Sequence, residues 1–232
     1  RNKYRLQFAR NGAEGIEKAE EYMPDLILTD LMMPEMDGCQ MCRRVRNSEI
    51  LNHIPIIVVT AKSEESDRIE LLKAGADAYL LKPFNADELN VRIEKLLEQR
   101  RLLREKYSQA LRKGIKIGSV EILPADREFL CRLTDVIYAR IADGALSSGL
   151  LADKLCMSQS QLNRKVKSIT GFNTAEYILQ MRMEQARRLL ASTEIPVGEI
   201  AARCGFEDQS YFTRMFRSTF DMTPTQYRRQ PK

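Results

Sequence analysis

The sequence predicts two domains, an α/β domain built on a doubly wound parallel sheet and an all-α domain after it. Up to about residue 107, short apolar segments alternate with segments of helical periodicity. Beyond Ala125 the periodicity is helical throughout, and one pattern recurs there at an offset of 50 residues. With 232 residues, 44% of them hydrophobic and 30% charged, the chain is long enough for two globular domains.

The first half alternates between strands and helices in a regular order. Strands that are apolar throughout and alternate with helices indicate a parallel sheet covered on both faces. The predicted order is strand YRLQFA, helix GAEGIEKAEEY, strand DLILTD, helix GCQMCRRVRN, strand IPIIVVTA, helix SEESDRIELLKAG, strand DAYLL and a long helix, NADELNVRIEKLLEQRRLLREKY, which opens at Asn85.

The long helix permits two interpretations. In one, it forms a short dimeric coiled coil through its heptad positions. In the other, residues 89–97 pack on the sheet and the remainder is a solvated helix. One or two heptads do not decide between them. The heptad positions are Leu89, Ile93, Leu96, Leu103 and Tyr107, interrupted by Arg100.

Three polar residues follow the apolar strands at the edge where parallel sheets collect functional groups. Asp30 ends LILTD, Thr60 ends IIVVT, and Lys82 follows AYLL directly. A carboxylate, a hydroxyl and an ammonium in one crevice suit a phosphoryl group, with the acid as acceptor. The plainer alternative is an Asp30–Lys82 ion pair at the strand ends, which leaves Thr60 unexplained.

This half resembles the receiver domain of bacterial response regulators. The matching segments are D-x-x-M-P-x-M-D-G from Asp30, T-A-K from Thr60 and K-P-F from Lys82, at offsets of 30 and 52 residues. The resemblance implies that Asp30 is the phosphoacceptor, that Thr60 and Lys82 contact the phosphate, and that Tyr79 is the aromatic switch residue. Phosphorylation would add about −1.5 to −2 charges to the crevice.

One part of the receiver pattern has no counterpart in this sequence. The family carries an acidic pair at the end of its first strand, which completes a Mg²⁺ site. Here Glu20 and Glu21 end a helix, and no adjacent acids end an apolar run before Asp30. We therefore expect Mg²⁺, with Asp30 as its ligand, to bind weakly or not at all. We also expect a fragment, a flavodoxin-like receiver lacking its first strand and helix, which an upstream β-α unit would complete.

The second half contains a repeat of one helix–turn–helix unit. The stretch LRKGIKIGSVEILPA suits a linker, and the predicted domains are residues 1–106 and 126–232 with a linker at 107–125. The predicted units are residues 148–171 and 198–221, joined by a helix from Thr174 to about Ala191. That helix, roughly 27 Å long, could set the later helix of each unit about one DNA turn apart. Aligning 150–177 with 200–227 gives identity at Ala152/Ala202, Gln159/Gln209, Ser160/Ser210, Arg164/Arg214, Ser168/Ser218 and Tyr177/Tyr227.

This half resembles the AraC-type DNA-binding domain, most clearly in IAARCGFEDQSYFTRMFRSTFDMTPTQYR. The later helix of each unit, here called a reading helix, would enter a major groove. A helical bundle with solvated arginines is the rival interpretation, and it leaves the repeat unexplained. The resemblance directs Ser160, Asn163, Arg164, Gln209, Thr213 and Arg214 toward bases, and Lys167 and Arg217 toward phosphates.

Charge and composition limit the function further. Residues 1–106 hold 18 Lys and Arg against 19 Asp and Glu, a net of −1, whereas residues 107–232 hold 19 against 13, a net of +6. The second half is therefore the expected site of a polyanionic partner. Five scattered cysteines and one histidine, His53, form neither a zinc site nor a catalytic triad, and we expect reduced thiols.

Together these features predict a phosphorylation-regulated, sequence-specific DNA-binding transcription regulator of a two-component system, and no enzyme. The alternative is a DNA-binding regulator whose receiver-like part is a non-phosphorylated dimerisation module. The expected partners are double-stranded DNA, a second copy of the chain, RNA polymerase and a histidine kinase. The kinase would act in trans or lie upstream in the same polypeptide, a hybrid sensor. No run of about 18 apolar residues occurs, so we expect a cytoplasmic location, even if a membrane sensor tethers the chain.

Overall fold

A parallel sheet of three strands, each paired with the next in chain order, organises the first part of the chain. The computed structural model describes residues 3–62, 64–112 and 124–230. The chain divides into one unit up to Leu102 and another from Leu103 onward. The predicted α/β class is thereby confirmed. The elements are α1 Gly12–Tyr22, β1 Ile27–Asp30, α2 Gly38–Asn47, β2 Ile56–Thr60, α3 Glu65–Lys73, β3 Ala78–Leu81 and α4 Ala86–Arg112.

The middle strand, β2, is buried along its whole length. Its residues IIVVT have no polar side chain except the terminal threonine, as expected for a strand covered on both faces. Each fully buried Ile or Val contributes roughly 1.5–3 kcal/mol through burial of apolar surface. One face of the sheet shares a core with α2, which buries Cys42 and Val45 completely.

The predicted first strand, YRLQFA, does not form. Residues 4–9 have no strand partner, and the side chains of Leu6 and Phe8 are 64% and 76% exposed. In the flavodoxin-like strand order 2-1-3-4-5 this segment would pair with a strand that precedes it in the chain. No strand of the described residues offers this segment such a ladder partner. The prediction of a strand at 4–9 is therefore wrong for this chain.

The long helix α4 begins as predicted and ends later than predicted. The Asn85 side chain accepts a hydrogen bond of 2.6 Å from the Glu88 N–H, which caps the first turn. The helix continues to Arg112 instead of ending at Tyr107. Of the predicted linker at 107–125, residues 107–112 are thus helical, and residues 113–123 lie outside the described part of the chain.

The second unit is helical throughout its described residues. None of the described helices of the chain is both long and apolar enough to span a membrane. The predicted all-α class of this half is confirmed. Besides the end of α4, the helices are α5 Pro124–Ala139, α6 Ser148–Lys154, α7 Gln159–Thr170, α8 Thr174–Ser192, α9 Val197–Arg203, α10 Gln209–Phe220 and α11 Pro224–Arg228.

Helix α8 contributes to two separate hydrophobic clusters. Its first half places Tyr177 and Met181 in a cluster with α5, α6 and α7. Its second half places Ala186 and Leu190 in a cluster with α9 and α10. The first helix pair, α6 and α7, and the second helix pair, α9 and α10, therefore each have their own core. Helix α8 is the element that both cores share.

The two helix pairs align with a change of offset inside the turn. The sequence suggested a single offset of 50, which pairs Ala152 with Ala202. In the structure Ala152 is buried, Ala202 is exposed, and the buried counterpart is Ala201. Leu151 and Ile200 likewise correspond, both fully buried. The first helices thus align at an offset of 49 and the reading helices α7 and α10 at 50, so the predicted pairing of the first helices is wrong. The second turn is one residue longer.

Two buried tyrosine hydroxyls and one half-buried threonine hydroxyl connect α4 to the core of the helical unit. The hydroxyl of Tyr107 lies 3.2 Å from that of Tyr177, which lies 3.1 Å from the hydroxyl of Thr134. Burial raises the pKa of both tyrosines, so both hydroxyls stay protonated and can donate. Tyr107 is 1% exposed, so this turn of α4 fits neither interpretation, coiled coil or solvated helix.

Changing Tyr107 to Phe is expected to lower the free energy of unfolding of the helical unit by about 1 kcal/mol. The ring stays in place, but the buried Tyr177 hydroxyl loses one of its two hydrogen-bond partners. Urea unfolding followed by circular dichroism measures the change. The matched control is Tyr211→Phe, where the side chain is 43% exposed, and no shift is expected. Equal shifts in the two variants would contradict the role of the buried hydroxyls.

Candidate functional site

The register of the sheet brings the predicted phosphoacceptor site together at the carboxyl ends of its strands. Asp30 pairs with Val59 in β2, and Thr60 pairs with Leu81 in β3. The Lys82 N–H then donates to the Thr60 carbonyl at 2.8 Å. Because β2 lies between β1 and β3, the Lys82 side chain reaches across the end of β2 to Asp30, with 2.5 Å from Nζ to Oδ2.

Asp30 is a partly exposed carboxylate held by an ammonium and a backbone amide. Partial burial raises the pKa of Asp30, but hydrogen bonds from the Lys82 ammonium and the Met32 N–H outweigh it, so this pKa lies below its ordinary value. The Met32 N–H donates to Asp30 Oδ1 at 3.2 Å. The lowered pKa keeps the carboxylate ionised at neutral pH, and the side chain remains 36% exposed to solvent.

The backbone of the loop after Asp30 leaves no room for a side chain at position 38, which is a glycine. A β-carbon there would lie 2.4 Å from the Asp30 carbonyl oxygen, closer than side-chain carbons approach. The Gly38 N–H donates to the Leu31 carbonyl at 2.9 Å and closes the loop. Asp37 caps α2 by accepting from the Gln40 N–H at 2.7 Å. The D-G pair of the sequence motif is thus explained by one cap and one close backbone approach.

Thr60 and Tyr79 lie on the same face of the sheet. Tyr79 pairs with Val58, and Thr60 lies two residues further along β2. Thr60 is 2% exposed, and its hydroxyl accepts from the Lys62 N–H at 2.9 Å. The ring of Tyr79 is half-buried and lies 4.9 Å from the guanidinium carbon of Arg68. Nothing in the sequence pattern indicated Arg68, since the contact depends on how α3 packs on β3.

Replacing Lys82 with Ala is expected to raise the pKa of Asp30. The variant removes the hydrogen bond that lowers this pKa, while the effect of burial remains. A pH titration of the carboxyl carbon by NMR measures the shift. Lys62→Ala is the control because its ammonium pairs with Asp67, at 3.0 Å. An unchanged titration in Lys82→Ala would contradict the assignment.

The same pKa shift predicts how the ion pair depends on pH. The folded pKa of Asp30 is lower than the unfolded one, so the pair stabilises the fold above pH about 4. The stabilisation is lost as the pH falls through the lowered pKa of the folded state. Both side chains are more than a third exposed, so solvent screening keeps this contribution small.

Within the described residues, this crevice offers a magnesium ion few protein ligands. In the described residues, no group of three or more His, Cys, Asp or Glu side chains could hold a metal ion. Mg²⁺ is bound through one or two carboxylates together with waters or phosphate oxygens, and Asp30 is the acid at these strand ends. The expected metal ligand, Asp30, and the expected weak binding of Mg²⁺ therefore both stay predictions.

The first reading helix, α7, has one buried face and one basic exposed face. A capping box starts the helix, with the Ser158 hydroxyl accepting from the Gln161 N–H and the Gln161 side chain accepting from the Ser158 N–H. The buried face includes Leu162, Val166 and Ile169, whereas Ser160, Arg164 and Lys167 are exposed.

The second reading helix, α10, repeats this arrangement. Its N-cap Asp208 accepts from the N–H groups of Tyr211 and Ser210, which lowers the pKa of Asp208. Phe212 and Phe216 are fully buried and belong to the second hydrophobic cluster. Of the residues predicted to face DNA on this helix, Gln209, Arg214 and Arg217 are exposed, and Thr213 is half-buried.

Three residues predicted to contact bases have contacts inside the domain. The side-chain oxygen Oδ1 of Asn163 accepts from the Thr174 N–H at 3.1 Å, at the start of α8. The Thr213 hydroxyl donates to the Gln209 carbonyl at 2.9 Å. The Gln209 side chain packs against Gly198, where a β-carbon would lie 2.8 Å from Oε1. These contacts help to position α7 and α10, and the base contacts of the three residues stay predictions.

Lys165 is a cation that the sequence did not single out. It lies between Arg164 and Val166 in α7 but is fully buried. Its ammonium is 4.5 Å from the centre of the Phe129 ring in α5. Lys165 therefore contacts α5 on the side of α7 away from its exposed basic face. Its ammonium is not available to a phosphate of DNA.

Comparison with known proteins finds one domain match in each half of the chain. Residues 1–94 match the response regulator receiver domain, and residues 151–230 match a helix-turn-helix domain. The chain is 32% identical over 224 residues to histidine kinase P4 of Formosa agariphila, covering 97% of this chain and 16% of that protein. It is 36% identical over 127 residues to the alkaline phosphatase synthesis transcriptional regulatory protein PhoP of Bacillus subtilis, covering 53% and 52%.

Among solved structures, the C-terminal domain of the two-component response regulator yesN from Fusobacterium nucleatum is similar over 44% of this chain and 98% of that one. The identity is 35% and the TM-score 0.41. The chain spans about half or less of the two curated relatives, 52% of one and 16% of the other. The resemblances drawn from the sequence motifs are confirmed by the two domain matches.

Proposed function

Because this chain joins a response regulator receiver domain to an AraC-type helix-turn-helix domain, we propose that it is a phosphorylation-regulated, sequence-specific DNA-binding transcription regulator of a two-component system. One observation carries the proposal. Arginines at equivalent positions of α7 and α10, Arg164 and Arg214, are exposed on helices whose opposite faces are buried. Two such helices, in helix pairs joined by the 19-residue α8, suit two neighbouring major grooves.

The DNA contacts follow from the chemistry of the exposed side chains. A guanidinium can donate two hydrogen bonds to guanine, which suits Arg164 and Arg214. Lys167 and Arg217 lie one turn further along their helices and are exposed cations suited to phosphates. Contacts to bases give specificity, whereas contacts to phosphates make the affinity depend steeply on salt.

The receiver half supplies the control by phosphorylation. The Asp30 carboxylate would attack the phosphorus of a phosphohistidine, forming a P–O bond while the P–N bond breaks and the imidazole leaves. Lys82 would then pair with the phosphoryl oxygens, and the Thr60 hydroxyl would donate to one of them. The exposed carboxylate, the adjacent ammonium and the buried Thr60 beside Tyr79 support this assignment.

The proposal implies several partners. A histidine kinase must supply the phosphoryl group, either from another protein or from the same polypeptide. The likeness to a protein named a histidine kinase, along 97% of this chain, supports the second arrangement, a hybrid sensor. DNA binding implies a location in the cytoplasm, and a regulator of transcription implies contact with RNA polymerase. A homodimer formed through the receiver is a further part of the proposal.

The test of DNA binding is selection of a duplex from a random library, followed by footprinting on the selected sequence. We expect protection in two adjacent major grooves on one face of the duplex. The affinity should fall steeply as the salt concentration rises. Protection of one groove, or equal affinity for every sequence, would contradict the two-helix reader.

The test of phosphorylation control compares the DNA affinity with and without acetyl phosphate. The chain is fused behind a receiver β-α segment that supplies the acidic pair, and the same segment without its acids is the control. We expect the donor to change the affinity of the fusion and to leave that of Asp30→Asn unchanged. Equal affinities with and without the donor would favour the alternative, a non-phosphorylated dimerisation module.

A further inference from the structure

Arg182 in α8 contacts both halves of the helical unit. Its Nη2 donates a hydrogen bond of 2.7 Å to the Asp143 carbonyl, in the loop between α5 and α6. Its guanidinium carbon is 5.8 Å from the centre of the Phe206 ring, in the turn between α9 and α10. One side chain thus joins the loop before the first helix pair to the turn inside the second.

The loop and the turn also approach each other directly. Gly205 has a φ of +76°, and a β-carbon there would lie 2.5 Å from the Ile141 carbonyl and 2.8 Å from Arg182 Nη2. A β-carbon at Gly144 would lie 3.1 Å from Oε1 of Glu207. Residues 141–144, Arg182 and residues 205–207 are called the junction below.

The extra residue of the second turn lies in the junction. The first turn closes with the Met157 N–H donating to Ala152, and the second with the Phe206 N–H donating to Ala201. The residue without a counterpart is therefore Glu207, between Phe206 and the N-cap of α10. It is also the residue that lies beside Gly144. The longer turn thus occurs in the second helix pair, whose turn contacts the loop between α5 and α6.

The contacts of Arg182 have a mechanical consequence for the two reading helices. Helix α8 alone would be one connection between the two hydrophobic clusters. The junction is a second connection, because the Asp143 carbonyl also accepts from the Leu146 N–H, and Leu146 belongs to the first cluster. Two connections at different points restrict rotation of one helix pair against the other.

We propose that Arg182 is a positioning residue that fixes the separation and angle between α7 and α10, so that the protein discriminates between operators by the spacing of their half-sites. The inference rests on the proposed function, in which both helices bind DNA. Arg182 itself contacts backbone and a ring inside the domain, so its effect on DNA is indirect.

The experiment measures the affinity of the full chain for a set of duplexes built from a sequence selected by the wild type. Two base pairs are inserted between or removed from the half-sites, which rotates one half-site by about 70° relative to the other. A further duplex has one half-site scrambled. We expect the wild type to lose at least about tenfold affinity, about 1.4 kcal/mol, on changed spacing. Arg182→Ala should lose less than about threefold affinity on the same change of spacing.

The controls separate a positioning role from a structural one. Arg188→Ala removes the same charge from an exposed position of α8 and should keep the wild-type spacing penalty. All variants should bind the duplex with one half-site equally well. Arg182→Lys keeps the charge but loses the planar donor and should behave like Arg182→Ala, which covers the case in which the alanine variant does not fold.

The outcomes are distinguishable from failure of the proposed function. A wild type that selects no sequence overturns the proposed function and with it this inference. A wild type that selects a sequence, together with folded Arg182 variants that retain the full spacing penalty, overturns the inference alone. The inference is also overturned if Arg182→Ala loses the same factor of affinity for the duplex with one half-site as for the intact operator. Such a result indicates general destabilisation of the domain.

Discussion

Replacing Phe212 with Ala is expected to destabilise the second helix pair by about 3–5 kcal/mol, a large part of the stability of a typical domain. Phe212 is fully buried, and its ring centre lies 5.3 Å from that of Phe206 and 5.8 Å from that of Phe216. The alanine leaves a cavity in the cluster that holds α10. DNA protection by α10 should be lost together with stability.

Thermal and urea unfolding of the variant measure the loss, and footprinting measures the effect on α10. Tyr211→Ala is the control on the same helix, because Tyr211 is 43% exposed. We expect it to cost under about 1 kcal/mol, as substitutions outside the core usually do. A Phe212→Ala variant as stable as Tyr211→Ala would show that α10 does not depend on this cluster.

Replacing Arg164 or Arg214 with Ala is expected to weaken binding to the selected operator by about 1–3 kcal/mol, roughly fivefold to 150-fold. Each variant should also lose its preference at one base pair, in a different half-site for each. Competition binding with duplexes changed at single base pairs measures both effects. Lys167→Ala or Arg217→Ala should instead weaken binding to all sequences. Each should also lower the steepness of the plot of log affinity against log salt concentration by about one.

Arg203→Ala is the matched control for the arginine variants. Arg203 is exposed at the end of α9 and pairs with Glu199 at 2.6 Å, so its removal changes the charge of the unit equally. A loss of affinity in Arg203→Ala equal to that in Arg214→Ala would point to net charge. In that case the base assignments of both arginines would be wrong.

Much of the fold could be predicted because local signals in the sequence agree with the tertiary structure. The run IIVVT is buried on both faces of the sheet, and Asn85 caps α4 as its position suggested. Periodicity also located α7, α8 and α10, since each of these helices has a distinct buried stripe. The strand YRLQFA shows the limit of such signals, because a strand needs a partner, and strand periodicity does not supply one.

The candidate sites were predictable to a different degree. Asp30 and Lys82 lie in contact as their positions after parallel strands suggested. The contact of Asn163 with the start of α8, the burial of Lys165 and the bridge formed by Arg182 depend on packing between helices. A helical period tells which residues share a face, but it does not tell what that face contacts.

The same limit applies to the repeat. Sequence identity favoured one offset, since an alignment without gaps counts matches and has no information about burial. The structure places the gap in the turn, where the second unit carries one more residue. The difference matters because the added residue, Glu207, lies in the junction with the loop at Gly144.

The last turns of α4 have a consequence for how such proteins diversify. Tyr107 and Leu111 lie in the core of the helical unit, although the helix begins in the receiver. A gene fusion that exchanged the receiver at residue 124, where α5 begins, would remove these side chains and expose the surface they cover. Viable recombination between relatives should therefore cross over within α4 before Leu103, inside a helix and not in the segment between the domains.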